Sequence, residues 1–329
     1  MLRTAIVGLG SWGQRLVDSV QGRSERIRFV AGVTRTVSKA ADYAAAKGFP
    51  VSSDYAALLA DRAVDAVVLA TPHSQHAEQI VQAARAGKHV YVEKPFTLDR
   101  ASAERAVAAC SEAGVTLAVG FNRRFRSAVR EVHRLVAEGR LGKVVHIEGD
   151  FNGPAANPPS EWRRSAHESP GGGMTAKGIH LADAMIWMAG HIESVYALSD
   201  RHRPGGDGPD DTTSLTFRFA SGASGQLSTI LATPEFWRLH VFGTEGWAEV
   251  RSERVLTTRF GSGAPQTRDF GDNNSLGEAL ECFADAAAGR GTYPVTPADA
   301  INGSSVLEAL MRSVASGTPA RIETASRSA

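Results

Sequence analysis

Apolar runs and amphipathic stretches alternate from the start of the chain, in the order that β-α-β units require. A strand over Leu2 to Val7 gives way to a helix over Trp12 to Val20, and a second strand runs from Ile27 to Val33. The alternation continues through a helix Val37 to Lys47, a strand Pro50 to Ser52, a helix Tyr55 to Ala60 and the run Ala66-Val67-Val68-Leu69-Ala70. An unbroken apolar run of that length reads as a strand covered on both faces, as in a parallel sheet. Helix Gln75 to Ala86, strand His89 to Val92, helix Ala101 to Ala113 and strand Thr116 to Val119 complete this half. After about residue 124 the period changes. A helix Ala128 to Glu138 precedes period-2 strands at Val144 to Asp150, Ser194 to Leu198, Thr212 to Phe219, Ala223 to Leu231, Arg238 to Gly243 and Trp247 to Val250. A helix Met174 to Ala189 falls between the first two, and helices Leu276 to Ala287 and Ala298 to Ser316 follow the last. Strands in succession without helices between them predict a largely antiparallel sheet.

The turn after the first strand, Gly8-Leu9-Gly10-Ser11-Trp12-Gly13, spaces its glycines G-x-G-x-x-G. The first glycine permits a tight turn, the second lets backbone approach a pyrophosphate, and the third lets the helix pack close to the strand. The phosphates would sit on the free N–H groups of a helix beginning around Ser11. About 20 residues beyond the last glycine, an acid would ordinarily bond the ribose 2′-hydroxyl. Thr34-Arg35-Thr36 stands there instead. A guanidinium between two hydroxyls suits a 2′-phosphate, which favours NADP over NAD. The strand end Ala70-Thr71-Pro72 brings further backbone to the same carboxyl edge, where such a cofactor lies.

Composition narrows the remaining classes. The 329 residues are 43% hydrophobic and 22% charged, enough for a full core in two domains. Lys plus Arg number 36 against 35 Asp plus Glu, so no global field points to nucleic acid or a membrane surface. Cys110 and Cys282 form no metal-ligand spacing, and no signal-length apolar run opens the sequence, so the expected location is the cytoplasm. His73 and His76 lack a carboxylate or cysteine to complete a metal site. Neither a G-x-S-x-G elbow nor a G-x-x-x-x-G-K-[ST] loop occurs.

The glycine turn, Ala70-Thr71-Pro72, Gly87-Lys88-His89-Val90, Glu93-Lys94-Pro95, Gly120-Phe121-Asn122-Arg123-Arg124-Phe125 and Gly178-Ile179-His180-Leu181-Ala182-Asp183 fall in one order along the chain. Together they resemble the glucose-fructose oxidoreductase, inositol dehydrogenase and MocA family. The resemblance covers nearly the whole chain. It implies an α/β protein with an N-terminal NAD(P)-binding Rossmann domain over 1–123, followed by a substrate-binding α+β domain over 124–329. The large, mainly antiparallel open sheet of the second domain is expected to form homodimer or homotetramer contacts.

By the same resemblance Lys94 lies beside the nicotinamide and hydrogen-bonds the reacting hydroxyl, while His180 receives its proton. Such a pair suits the reaction, because a cation stabilises the developing alkoxide and an imidazole exchanges protons near neutral pH. His76 and Glu93 join the cofactor edge. Asn122, Arg123, Trp162, Arg163 and Asp183 are the candidate substrate residues, with Asp183 also suited to orient the His180 ring. Many members carry an aspartate four residues before the helix histidine. Here that residue is Ala176, which reads as a small pocket-lining side chain, and Lys177 reads as a solvated surface lysine. The expected activity is hydride transfer between nicotinamide and a secondary hydroxyl or ketone of a sugar, cyclitol or related diol. The alternatives are a lyase or glycosidase that oxidises its substrate transiently with a retained cofactor, and a non-catalytic NADP-binding regulator.

Overall fold

The computed structural model describes residues 1–154, 162, 165–202 and 208–323. Arg163 lies outside them. The chain forms two compact units.

The first comprises Met1–Thr97, Ala101–Asn122 and Asn274–Pro297. Its strands are β1 (Leu2–Val7), β2 (Ile27–Val33), β3 (Val51–Ser52), β4 (Ala66–Leu69), β5 (His89–Val92) and β6 (Leu117–Val119). They pair in parallel in the order β3-β2-β1-β4-β5-β6, the doubly wound arrangement. Every residue of β4 is fully buried, as its unbroken apolar run predicts. Helices α1 (Ser11–Val20), α2 (Ala41–Ala46), α3 (Tyr55–Ala60), α4 (His76–Arg85) and α5 (Arg100–Glu112) alternate with the strands. The expected helix Val37 to Lys47 is split into a 3₁₀ turn Val37–Lys39 and α2. Strand order reverses between β1 and β4, so the crevice at their carboxyl ends is where such sheets take ligands.

The second unit comprises Leu98–Arg100, Arg123–Asn273 and the residues from Ala298 onward. Helix α6 (Ser127–Ala137) leads to β7 (Val144–Asn152), and a π-helical turn Met174–Gly178 opens α7 (Ile179–Ala189). Strands β8 (Ile192–Asp200), β9 (Thr212–Phe219), β10 (Ser224–Ile230), β11 (Phe236–Gly243), β12 (Gly246–Arg251), β13 (Val255–Phe260) and β14 (Gln266–Asp269) follow. After α8 (Ser275–Ala287), helix α9 (Pro297–Ser316) and β15 (Ala320–Arg321) end the described chain. The nine strands run in the order β14-β13-β12-β11-β7-β10-β9-β8-β15. All neighbours are antiparallel except β7 and β10. Strands β13, β14 and β15 escape the sequence pattern because a period-2 signal needs a buried face. β14 is exposed at all four residues, and β13 buries only Leu256.

The segment Asn274–Pro297, which the sequence reading places in the C-terminal domain, groups with the first unit. Asn274 explains part of this: its Oδ1 accepts the Gly277 N–H at 3.1 Å, capping α8, while its Nδ2 donates to the Ser19 carbonyl at 2.9 Å. Phe283 packs edge-on to Tyr91 at 5.8 Å, and the Tyr293 hydroxyl donates to the Val119 carbonyl at 3.0 Å. Periodicity shows that α8 has an apolar face, but not which sheet receives it. Among the described residues no helix is long and apolar enough to cross a membrane.

Candidate functional site

The three glycines of the first turn are required for different reasons. Gly8 has φ +98°, and a Cβ there would run into the carbonyl oxygen of Ala70. At Gly13 a Cβ would collide with the carbonyl oxygen of Gly8, so only glycine lets α1 start this close to β1. Gly10 differs, being exposed with nothing within 4 Å of the Cβ position. The first and third glycines thus serve the protein's own backbone, and the second leaves open space above the start of α1. That helix end has no side-chain cap and no acid in its first turn. Its free N–H groups and positive dipole end suit an anion, so the cradle fits a dinucleotide pyrophosphate.

Around this cradle, Leu9 is buried against Gly32, so only its backbone is available to a ligand. Ser11 is exposed, and Trp12 is half-buried with the Arg15 guanidinium 5.8 Å from its ring centre. At the end of β2 the Thr34 N–H donates to the Ser52 carbonyl at 2.9 Å, which sets the path of the next residues. Arg35 and Thr36 are exposed, and among the described residues Arg35 has no ion-pair partner. Its guanidinium is available to a phosphate.

At the end of β4, the Thr71 hydroxyl donates to Gln79 Oε1 at 2.6 Å, and Pro72 begins the turn into α4. His76 does not face outward. It is 0% exposed, with Nε2 3.1 Å from the Thr71 carbonyl and Nδ1 2.9 Å from the Pro95 carbonyl. The ring ties the turn after β4 to the turn after β5 from beneath. Glu93 is also buried, and its Oε2 accepts the Lys94 N–H at 3.3 Å. A Cβ at Gly120 would come within 2.8 Å of Glu93 Oε1 and 3.1 Å of the Tyr91 hydroxyl, so glycine there makes room for this carboxylate. Lys94 is half-buried and joined to Pro95 by a cis peptide bond. Asn122 is fully buried, and its Nδ2 donates to Ser275 Oγ at 3.1 Å, which spends it on fastening α8.

In the second unit two adjacent arginines have different fates. Arg124 is 1% exposed and forks onto Asp183, Nε to Oδ2 at 2.8 Å and Nη2 to Oδ1 at 2.7 Å, with Asp299 at 3.3 Å. Its guanidinium lies 5.1 Å from the Trp187 ring centre. Asp183 is therefore engaged by Arg124 and not by the His180 ring. Burial pushes its carboxyl up to about 6, a rise that the guanidinium limits.

Arg123 instead reaches the neighbourhood of His180, which is 2% exposed. Its Nη1 lies 3.4 Å from His180 Nε2, while Nε and Nη2 each lie 2.9 Å from Glu253 Oε1. The other carboxylate oxygen of Glu253 is 2.9 Å from Arg126 Nη2. Phe151 forms a wall, its ring centre 6.4 Å from that of His180, 5.3 Å from the Arg123 guanidinium and 5.2 Å from the Lys177 ammonium. Lys177 is not a solvated surface lysine. It is half-buried, it donates to the carbonyls of Asn152, Gly153 and Pro154 at 3.4, 2.9 and 3.2 Å, and burial lowers its pKa. Ala176 is half-buried in the π turn, and Trp162 is half-buried with its carbonyl accepting the Ser165 N–H at 3.2 Å.

Sequence reasoning misses Glu253 altogether. It occupies a three-residue turn between β12 and β13, Ser252-Glu253-Arg254, which contains none of the glycine or asparagine that usually marks such hairpins. Only the positive φ of Ser252 and Glu253, 51° and 62°, reveals the tight turn.

Residues 2–121 match the oxidoreductase family with an NAD-binding Rossmann fold, and residues 129–249 match the GFO/IDH/MocA C-terminal domain. The 1,5-anhydro-D-fructose reductase of Ensifer adhaerens is 30% identical over 90% of this chain and 91% of its own. The scyllo-inositol 2-dehydrogenase (NAD(+)) of Bacillus subtilis strain 168 is 29% identical over 98% of this chain and 96% of its own. The crystal structure of aldose-aldose oxidoreductase from Caulobacter crescentus, complexed with glycerol, aligns with a TM-score of 0.88 at 26% identity, covering 97% of this chain and 99% of that one. With both domain types matched in order and the doubly wound sheet and glycine cradle in place, the chain belongs to the Gfo/Idh/MocA family and is an NAD(P)-dependent dehydrogenase or reductase.

Proposed function

We propose that the protein is an NADP-preferring oxidoreductase that moves hydride between the nicotinamide and a secondary hydroxyl, or its ketone, of a sugar, cyclitol or related diol. The observation that carries the cofactor reading is the open space at Gly10 over the uncapped start of α1, with Arg35 exposed after β2. The substrate class rests on the relatives, which are named for an anhydrofructose, an inositol and aldoses. The bound nucleotide supplies the hydride acceptor or donor. Backbone of residues 8–13 and 70–72 holds its phosphates and ring edge, and Arg35 with Thr34 and Thr36 receives the 2′-phosphate.

Lys94 directs its ammonium to the reacting oxygen and stabilises the charge that develops there as the carbonyl forms. His180 takes the hydroxyl proton in oxidation and returns it in reduction. His76 and Glu93 act through the backbone on either side of Lys94. Of the substrate candidates, Arg123 and Trp162 keep that assignment, while Asn122 and Asp183 act as supports for α8 and Arg124. The location is the cytoplasm, and the assembly is a homodimer or homotetramer through the open sheet, from which Tyr196, Leu198 and Phe236 protrude.

Titration calorimetry with NADP and NAD, on the wild type and on Arg35→Ala, tests the cofactor. Tighter NADP binding that collapses to parity in the variant is the expected result, and equal binding of both nucleotides by the wild type refutes it. A polyol and sugar panel with NADP then tests the chemistry. His180→Asn and Lys94→Met are each expected to lower kcat by about a hundredfold or more without loss of nucleotide binding.

A further inference from the structure

Glu253 stands at the tip of the β12–β13 hairpin with φ +62°, beside Ser252 at +51°. Consecutive left-handed residues that are not glycine carry a steric cost, which the contacts of the turn must offset. Backbone bonds from Ser252 to Trp237 and from Arg254 to Arg251, each 3.2 Å, supply some of them, and the Glu253 carboxylate supplies the charged ones. One oxygen takes Nε and Nη2 of Arg123 and the other takes Nη2 of Arg126, each at 2.9 Å. The Arg123 and Glu253 side chains are only 15% and 16% exposed, so the pair is weakly screened. With Nε and Nη2 held, the remaining nitrogen of the fork, Nη1, is the one that lies 3.4 Å from His180 Nε2.

A guanidinium only donates, so at this contact Nε2 is the accepting nitrogen and the ring proton resides on Nδ1. A cation in that place also opposes a second proton on the ring, and a carboxylate behind the cation offsets that opposition. We propose that Glu253 is a positioning residue for proton transfer at His180. By holding Arg123 it sets how strongly the neighbouring cation resists the incoming proton. This rests on the reading of His180 as the proton acceptor.

Among the described residues, other charged groups near the ring have partners of their own. Lys177, from the π turn, is held by three carbonyls and faces Glu235 and Arg123. Asp183, one turn further along α7, is engaged by Arg124, and β7 presents the uncharged Phe151. Position 176, where the family resemblance puts a carboxylate, holds alanine. Among the described residues, the Arg123–Glu253 pair places its guanidinium 3.4 Å from the ring.

The test is an NMR titration of the His180 imidazole in the full-length protein without substrate, its signal assigned by loss in His180→Asn. The companion readout is the pH dependence of kcat/KM for alcohol oxidation. Glu253→Gln leaves the Arg123 charge uncompensated, so the midpoint is expected to fall by about half a unit to one unit, while Arg123→Met raises it by a similar amount. Because the two charges oppose each other at the ring, the double variant, which removes both, should titrate between the two single variants, and Glu253→Asp, which keeps the charge, should return the midpoint towards wild type. Should Glu253→Gln fail to fold by circular dichroism, Arg123→Met and Glu253→Asp still decide the sign. Midpoints that stay within error of wild type in folded Glu253→Gln and Arg123→Met overturn the proposal and leave Glu253 as a hairpin brace. Full turnover by His180→Asn overturns the reading of His180, and the role of Glu253 with it. That outcome is distinct, since the NMR midpoints would still report the Arg123 coupling.

Discussion

The glycine turn of the first unit and the surroundings of His180 in the second are built on opposite plans. The turn is six consecutive residues, Gly8 to Gly13, and its shape comes from side chains that are missing: a single carbon at Gly8 or Gly13 would overlap a carbonyl oxygen. Around His180 the residues come from separate parts of the chain, among them Arg123 and Glu253, which are 130 positions apart, and the arrangement comes from charges that must be matched. A site built from backbone is intolerant of added atoms, whereas one built from side chains is intolerant of an uncompensated charge.

Breaking the charge matching should give the largest effect. Arg124→Met strands Asp183 in the interior, and removing one partner of a buried pair costs about 3–5 kcal/mol. Urea unfolding is expected to show a loss of that size, and a loss under about 1 kcal/mol would mean that Asp183 sheds its charge at little cost. Next comes the backbone-built turn, where two glycines separate stability from binding. Gly13→Ala is expected to lose about 1–3 kcal/mol by overpacking against Gly8. Gly10→Ala should lose less than about 1 kcal/mol yet weaken NADP in calorimetry, since its Cβ enters the space left for the pyrophosphate. Equal effects of the two alanines on stability would remove the distinction.

The smallest effect belongs to an exposed ion pair of the first unit, Arg3 with Asp65, Nη2 to Oδ1 at 2.6 Å. Hydrogen bonding and attraction from Arg3 hold the Asp65 carboxyl below its ordinary value. A lowered carboxylate contributes stability above the ordinary value and loses it as pH falls through the lowered one. Asp65→Asn should therefore flatten the decline in stability between about pH 5 and pH 3, modestly because both partners are solvated. An unchanged acid limb would assign that decline to other carboxylates.

The Arg123-Arg124 pair shows how far sequence reading reaches. Both residues belong to one recognisable motif, and nothing local distinguishes them. Yet Arg124 is sealed against Asp183 and Arg123 is held by Glu253 beside His180. Likewise Asn122 has a motif position that suggests substrate, but its amide is used on Ser275. Glu253 had no signal at all, because the strand after it buries only one side chain.

By itself the sequence determined the β-α alternation of the first unit, the largely antiparallel second sheet as far as β12 and the three distinct glycines. Each of these depends on chain-local properties: apolar period, turn chemistry and the space that a Cβ requires. Tertiary structure decided that Asn274–Pro297 joins the first unit, that His76 lies beneath two loops, and that Arg123, Glu253 and His180 meet. Those outcomes depend on which buried charge or apolar face finds a partner, and that partner lies too far along the chain for any local pattern to record it.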